Sequence, residues 1–344
     1  MMARTPADSS AARPPFFSPD GLRCHYAELG AVSLSPDVTK ETDIEHLQAQ
    51  GNKLCDLPAE LCKLDQLIEL EIQQNNFKTL PNVVCELPSL SLLRASKNFL
   101  QSLPPGLKKL MKLKAIELDD NAFTEFPTVL TEIKSLKILI LDSNFLISLP
   151  VEIGMMDKQL THLSLGKNQL RALPDDVCNL KHLTHLNVSY NMLETLPNNF
   201  GNLKKLRELY LHSNRITVLP TSILHLTNLV TMTLQNNFLS QLPPGFSSCL
   251  KKITYLSVDQ IPEAHTPVSA CDVRIQGVRH CEGGASKERV FRIRPDASDV
   301  TQSTGPTSGL RKRRAPNEKE PTDKVTKKGT RTRRSNRNLN KKPK

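Results

Sequence analysis

The chain has 344 residues, 24% of them charged, with only 4% aromatic residues and no tryptophan, so any core must be built from aliphatic side chains. Its formal charge of +11 is uneven: residues 311–344 hold 15 Lys or Arg against 3 Asp or Glu, which leaves 31 basic and 32 acidic residues, a net of −1, in residues 1–310. No run of 18 apolar residues is present, which argues against a membrane-spanning helix.

Residues 1 to about 20 are rich in Ala, Pro and Ser and are expected to be disordered. The prolines there also argue against a signal peptide. Residues 21–43 mix polar and apolar side chains without matching the periodic segment that begins at residue 44. They are the expected cover for the open end of that segment, so 1–43 is read as one N-terminal region.

From residue 44 to 260 one phrase recurs, as in Leu67, Leu70, Ile72, Asn75, Phe77, Leu80, Pro81. Its asparagines are Asn52, Asn75, Asn98, Asn121, Asn144, Asn168, Asn191, Asn214 and Asn237, in steps of 23 with one step of 24. Each is preceded by two apolar residues separated by one other, such as Leu139 and Leu141, the period of a half-buried strand. Each is followed five residues later by an apolar–proline pair such as Leu149-Pro150. Proline fixes φ and lacks an amide hydrogen, so it suits the start of a short helical turn. The asparagines are expected to be structural. Where a strand turns away from a sheet, backbone groups are buried without partners at about 1–3 kcal/mol each. An asparagine offers both donors and acceptor to satisfy them.

The pattern then decays. Leu256 and Val258 are placed in a tenth strand, and Ile261-Pro262 falls where the next asparagine belongs. Residues 261–295 are a degenerate flank in which Arg289–Arg294 alternates like a strand. Residues 296–344 form a basic tail expected to be disordered.

The phrase LxxLxLxxNxLxxLP resembles the leucine-rich repeat family, and within it the 23-residue intracellular class of Ras-suppressor-like and Scribble-like scaffolds. The resemblance implies an α/β solenoid: a curved array of about nine to ten repeats with a concave parallel sheet, flanked by disordered termini. It also implies protein–protein binding on the concave face. Extracellular members close both ends of the array with clustered cysteines, and no such cluster stands beside the first or last repeat here. The cysteines are therefore read as reduced thiols, and the protein as intracellular, in cytoplasm, nucleus or both.

On a concave sheet the outward strand positions form the binding face. Ile138 and Ile140 set two large aliphatic side chains on a face expected to be wet. Leu92 and Ala115 extend the patch backwards, and His162, His185 and Tyr210 forwards, with Tyr190 near a strand end. Apolar and aromatic anchors within a polar rim are the usual anatomy of a hot spot. Glu117, Asp119 and Asp142, with Asp120 beside them, form an acidic border suited to a basic partner.

In the tail, Arg311, Lys312, Arg313 and Arg314 resemble a nuclear import signal. Three readings stay open for the tail: a site for an import receptor, a nucleic-acid patch, or a solvated segment without specific role. The leading functional expectation is a non-enzymatic scaffold holding a protein on the concave face. The alternative is a nuclear nucleic-acid- or chromatin-associated factor acting through the tail. No catalytic residue, cofactor, small-molecule substrate or metal is expected. Cys271 and Cys281 with His265 and His280 match no paired-cysteine zinc spacing.

Overall fold

The computed structural model describes residues 16–246 and 252–259, and the backbone of 288–292. The chain divides into two units, 1–296 and 297–344, and every described residue lies in the first. The tail signal Arg311–Arg314 and the Cys271/Cys281 region fall outside the described residues.

The described strands form one open, curved sheet in chain order. They are β1 (Phe16–Phe17), β2 (Arg23–His25), β3 (His46–Gln48), β4 (Glu69–Glu71), β5 (Leu92–Arg94), β6 (Ala115–Glu117) and β7 (Ile138–Ile140). They continue with β8 (His162–Ser164), β9 (His185–Asn187), β10 (Glu208–Tyr210), β11 (Thr231–Thr233), β12 (Tyr255–Asp259) and β13 (Glu288–Arg292). From β2 to β12 every pairing is parallel, and β1 and β13 pair antiparallel at the two ends. Each central strand buries its middle residue and leaves the flanking two half-buried, as Leu139 does between Ile138 and Ile140.

Pairing is in register through the array, so equivalent residues form straight rows. Leu92 opposes Ala115, Ala115 opposes Ile138, Ile138 opposes His162, and His162 opposes His185. The described convex connections between β3 and β11 are 3-10 helices, most of which start just after the recurring proline, for example Ala59–Lys63 after Pro58 and Thr221–His225 after Pro220, while Phe200–Asn202 starts three residues after Pro197. Tight turns suit them because only a few residues separate the proline from the next buried leucine. The core between the two layers is a single stack of aliphatic rows, with Phe77, Phe123, Phe200 and Tyr26 fully buried inside it.

The asparagine ladder forms as the chemistry requires. Asn144 Nδ2 donates to Leu118 O at 3.0 Å and Leu141 O at 3.1 Å, while its Oδ1 accepts from Phe123 N at 3.1 Å. One side chain thus closes three backbone groups from two repeats. The residue before each asparagine turns the chain out of the strand with positive φ, 52° at Asp120 and 53° at Tyr190, the left-handed region that non-glycine residues enter rarely. Asn237, at the far end, is only partly buried, and its own amide donates to Asp259 Oδ2 at 3.1 Å.

Residues 21–43 correct one expectation. They do match the array: β2 pairs in parallel with β3, with Cys24 and Tyr26 standing 23 residues before Leu47 and Ala49. Leu29 takes the asparagine position, and Asn52 Oδ1 accepts from Ala31 N, as in the other repeats, and also from Leu29 N, both at 3.0 Å. The sheet therefore has eleven parallel strands, with the nine central ones flanked by β2 and β12. Of the alternating stretch Arg289–Arg294, residues 289–292 lie in β13, which pairs with β12, and the last two fall outside the described residues. Among the described residues no helix is long and apolar enough to cross a membrane.

Candidate functional site

Three outward rows make up the face carried by β5–β10. In the first row Leu92, Ala115 and Ile138 are consecutive register partners and lead into His162 and His185. The two imidazoles stack with centroids 4.0 Å apart and planes 10° from parallel. Their Nδ1 atoms each lie 2.8 Å from the hydroxyl of the preceding threonine, Thr161 and Thr184, which holds the rings side by side. His185 Nε2 is 3.2 Å from Glu208 Oε1, and Tyr210 donates its hydroxyl to Glu208 Oε2 at 2.8 Å. Burial, and then that carboxylate, push the Tyr210 phenol up to about 12.

The second row places Ile140 between Glu117 and Ser164. Tyr210 stands three strands further on, about 14 Å at the usual strand spacing, and Ser164 and Asn187 intervene. The sequence-defined patch is therefore two anchors: an aliphatic–imidazole row and a separate tyrosine. Tyr190 belongs with the second anchor. It is 51% exposed and meets His212 edge-on at 5.1 Å.

The acidic border is engaged internally. Arg94 Nη1 lies 3.2 Å from Glu71 and its Nε 3.4 Å from Glu117, so one guanidinium serves two carboxylates. Ser96 donates its hydroxyl to Asp119. Asp142 Oδ1 accepts from Gly166 N at 2.8 Å and Asn187 Nδ2 at 3.0 Å, linking β7 to β9 across β8. Burial nevertheless raises the Asp142 carboxyl above its ordinary range. Gly166 makes this bridge possible, because a Cβ there would sit 2.6 Å from Asp142 Oδ1 and 2.9 Å from Asn187 Nδ2. The sequence patch does not single out Arg94, Gly166 or Glu208. The only sequence signal for them is their place in the rows, one repeat from the residues they serve.

The thiols offer little chemistry. Burial pushes Cys24 up to about 12, and burial followed by Asp175 and Asp176 pushes Cys178 up to about 11, so both stay protonated near neutral pH. All five described cysteines are free.

The histidine stack gives a pH prediction. Burial, and then His185, lower the His162 pKa. Well above the ordinary histidine range of about 6.5 the folded and unfolded chains both hold it neutral. As pH falls through that range the unfolded chain takes the proton first, so stability is lost. Asp142 has the opposite sign, its raised carboxyl favouring the folded state as pH falls toward the carboxylate range. The melting temperature should therefore drop between about pH 7.5 and about pH 5.5, and His162→Asn should shrink that drop. An equal drop in the variant would reject the assignment.

A leucine-rich repeat family model matches residues 158–216 and 204–260. Solved structures align along most of the array as well. A leucine-rich repeat protein of Leptospira interrogans is 28% identical, with a TM-score of 0.51, over 67% of this chain and 70% of that one. The chain belongs to the leucine-rich repeat superfamily. Two receptors also align with this leucine-rich repeat array. A TDR receptor is 26% identical with a TM-score of 0.61, over 69% of this chain and 42% of its own. The leucine-rich repeat ectodomain of the plant membrane receptor kinase GASSHO1/SCHENGEN3 from Arabidopsis thaliana was solved in complex with Casparian strip integrity factor 2. It is 29% identical with a TM-score of 0.57, over 67% of this chain and 28% of its own. This chain thus spans less than half the length of either receptor. A search of curated proteins gave no match.

Proposed function

We propose that this leucine-rich repeat protein is a non-enzymatic interaction scaffold that holds a protein partner on the face of β5–β10. The observation that carries the reading is the first row, where Leu92, Ala115, Ile138 and His162 run as direct register neighbours along an open sheet. A row of apolar side chains edged by hydrogen-bonded polar groups provides anchors without unpaired charge, which is what a protein interface needs at its centre. The surrounding carboxylates support a binding rather than a catalytic role, since Glu117, Asp119 and Asp142 are each tied to an adjacent repeat. The relative solved with Casparian strip integrity factor 2 lends the family precedent. The reading extends to an intracellular setting, cytoplasmic or nuclear, with entry to the nucleus through Arg311–Arg314.

The test is affinity capture from separate cytoplasmic and nuclear extracts, using the full chain and its Ile138→Ala/Tyr210→Ala variant, which removes one residue from each anchor. Two anchors of hot-spot weight, about 2 kcal/mol each, predict at least a thirty-fold loss of binding. The melting temperature should not move. Undiminished capture by the variant would refute the face, and capture from neither extract would refute the compartment.

A further inference from the structure

Each strand from β3 to β12 is preceded by a buried leucine or isoleucine, flanked by three surface positions: the residue immediately before the strand and the third and fourth before it. Together they form an edge distinct from the β5–β10 face. Ahead of β3 and β4 these positions carry Asp43, Glu45 and Asp65. From β6 onward the sign reverses. Lys114, Lys137 and Arg207 stand immediately before their strands. Lys112, Lys205 and Lys252 stand third before, and Lys134, Lys158, Lys181 and Lys204 stand fourth before. All are exposed, and no Asp or Glu occupies the described positions of these rows from β6 to β12. Among the described residues none of these cations forms an ion pair, whereas Lys108 and Lys109 on the convex side reach Glu132 at 3.0 Å and Glu86 at 3.7 Å. Six strand steps of about 4.8 Å make the edge about 29 Å long.

Part of the edge is recessed. Lys112, Lys114 and Lys137 line a groove of about 490 Å³ with Ser89, Ser91 and Ser135, and Glu45 closes the acidic end. Lys112 Nζ donates to Ser89 Oγ at 3.3 Å, so ammonium and hydroxyl groups already sit within reach of one another. A line of uncompensated cations raises the local potential and concentrates polyanions. Lysine is depleted at the centre of protein interfaces, which disfavours a protein occupant. A flat bilayer cannot follow lysines into a groove, but a ridge of phosphates can. The three rows hold no Phe, Tyr or Trp to stack unpaired bases, so the fitting occupant is one whose bases remain stacked on each other.

We propose that this edge holds the phosphate backbone of a nucleic-acid duplex, with lysines and hydroxyls making phosphate contacts and no base readout. The surface is independent of the face proposed for a protein partner, and of the basic tail.

The test is fluorescence anisotropy of a random-sequence DNA duplex with the full chain over a salt series. Two triple variants carry the same change in net charge: Lys112→Glu/Lys114→Glu/Lys137→Glu on the edge, and Lys53→Glu/Lys78→Glu/Lys97→Glu away from it. Each phosphate contact contributes about 0.9 to the logarithmic salt slope, so the edge variant should lower it by about 2–3 and weaken binding at least ten-fold near 100 mM salt. The control should stay within about two-fold of the parent chain. A second edge triple, Lys181→Glu/Lys204→Glu/Lys205→Glu, should reproduce the loss and serves if the first fails to fold. Equal losses in edge and control variants would overturn the proposal in favour of net charge and tail. Edge variants that keep the parent's duplex affinity but lose binding to anionic lipid vesicles or polyglutamate would overturn it in favour of a membrane or an acidic protein.

Discussion

Asn144→Ala should destabilise the protein by about 3–5 kcal/mol, because three buried backbone groups lose their partner together. The groups are Leu118 O, Leu141 O and Phe123 N, which belong to two different repeats. Water cannot replace the side chain easily, since Asn144 is only 4% exposed. Asn144→Asp should be no milder near neutral pH, as a carboxylate would face two carbonyl oxygens where an amide donated. The position in the array sets the scale. Asn237 makes equivalent bonds to Leu211 O, Leu234 O and Ile216 N but is partly exposed, so Asn237→Ala should cost about 1–2 kcal/mol. Stability in a repeat array is a sum of local and nearest-neighbour contributions. Hydrogen exchange should therefore show protection lost first in the repeats around β6 and β7, with distant repeats less affected. Equal costs at Asn144 and Asn237 would contradict the account of the ladder.

The ladder also explains which parts of the molecule were legible in advance. A buried polar side chain that must recur at one geometry leaves a fixed period in the sequence, so strand positions and outward rows follow by counting back from each asparagine. The same reliance concealed β2, where Leu29 replaces the asparagine and Cys24 and Tyr26 replace the usual leucine pair. The backbone there keeps its register because Asn52 of the next repeat makes its usual bonds to Ala31 N and Tyr26 O and accepts from Leu29 N in addition. Contacts between rows were not legible. Whether Arg94 bridges Glu71 and Glu117, or Asp142 reaches Asn187 45 residues away, depends on side-chain length and rotamer. The lysine edge was obscured differently. A net of −1 over residues 1–310 averages an acidic face against a basic edge, and only the 23-residue register separates them.

Close packing between convex turns gives the second large effect. Gly201 lies in the 3-10 turn Phe200–Asn202, which is shorter than the five-residue turns on either side, Asp175–Asn179 and Thr221–His225. Its amide donates to Ser222 Oγ at 3.2 Å, and a Cβ at Gly201 would fall 2.0 Å from Ser222 O and 2.8 Å from Ser222 C. Two effects oppose each other in Gly201→Ala. Fewer unfolded conformations favour the variant by about 0.4–1 kcal/mol. Overpacking against backbone, which cannot rotate away as a side chain can, costs about 1–3 kcal/mol or more. The clash should win, lowering the unfolding free energy by a net of about 2 kcal/mol, which a fall in the urea midpoint at unchanged slope would register. The position itself does not demand glycine, since Cys178 stands 23 residues earlier in the preceding repeat. Proximity of the next turn is the cause. Gly154→Ala, where the nearest backbone oxygen is Asp176 O at 3.1 Å, should cost far less. Adding Ser222→Gly to Gly201→Ala should not restore stability, because the obstructing atoms are the Ser222 carbonyl and not its hydroxyl. Restoration by that second change would show that the side chain, and not the backbone, sets the spacing of the convex layer.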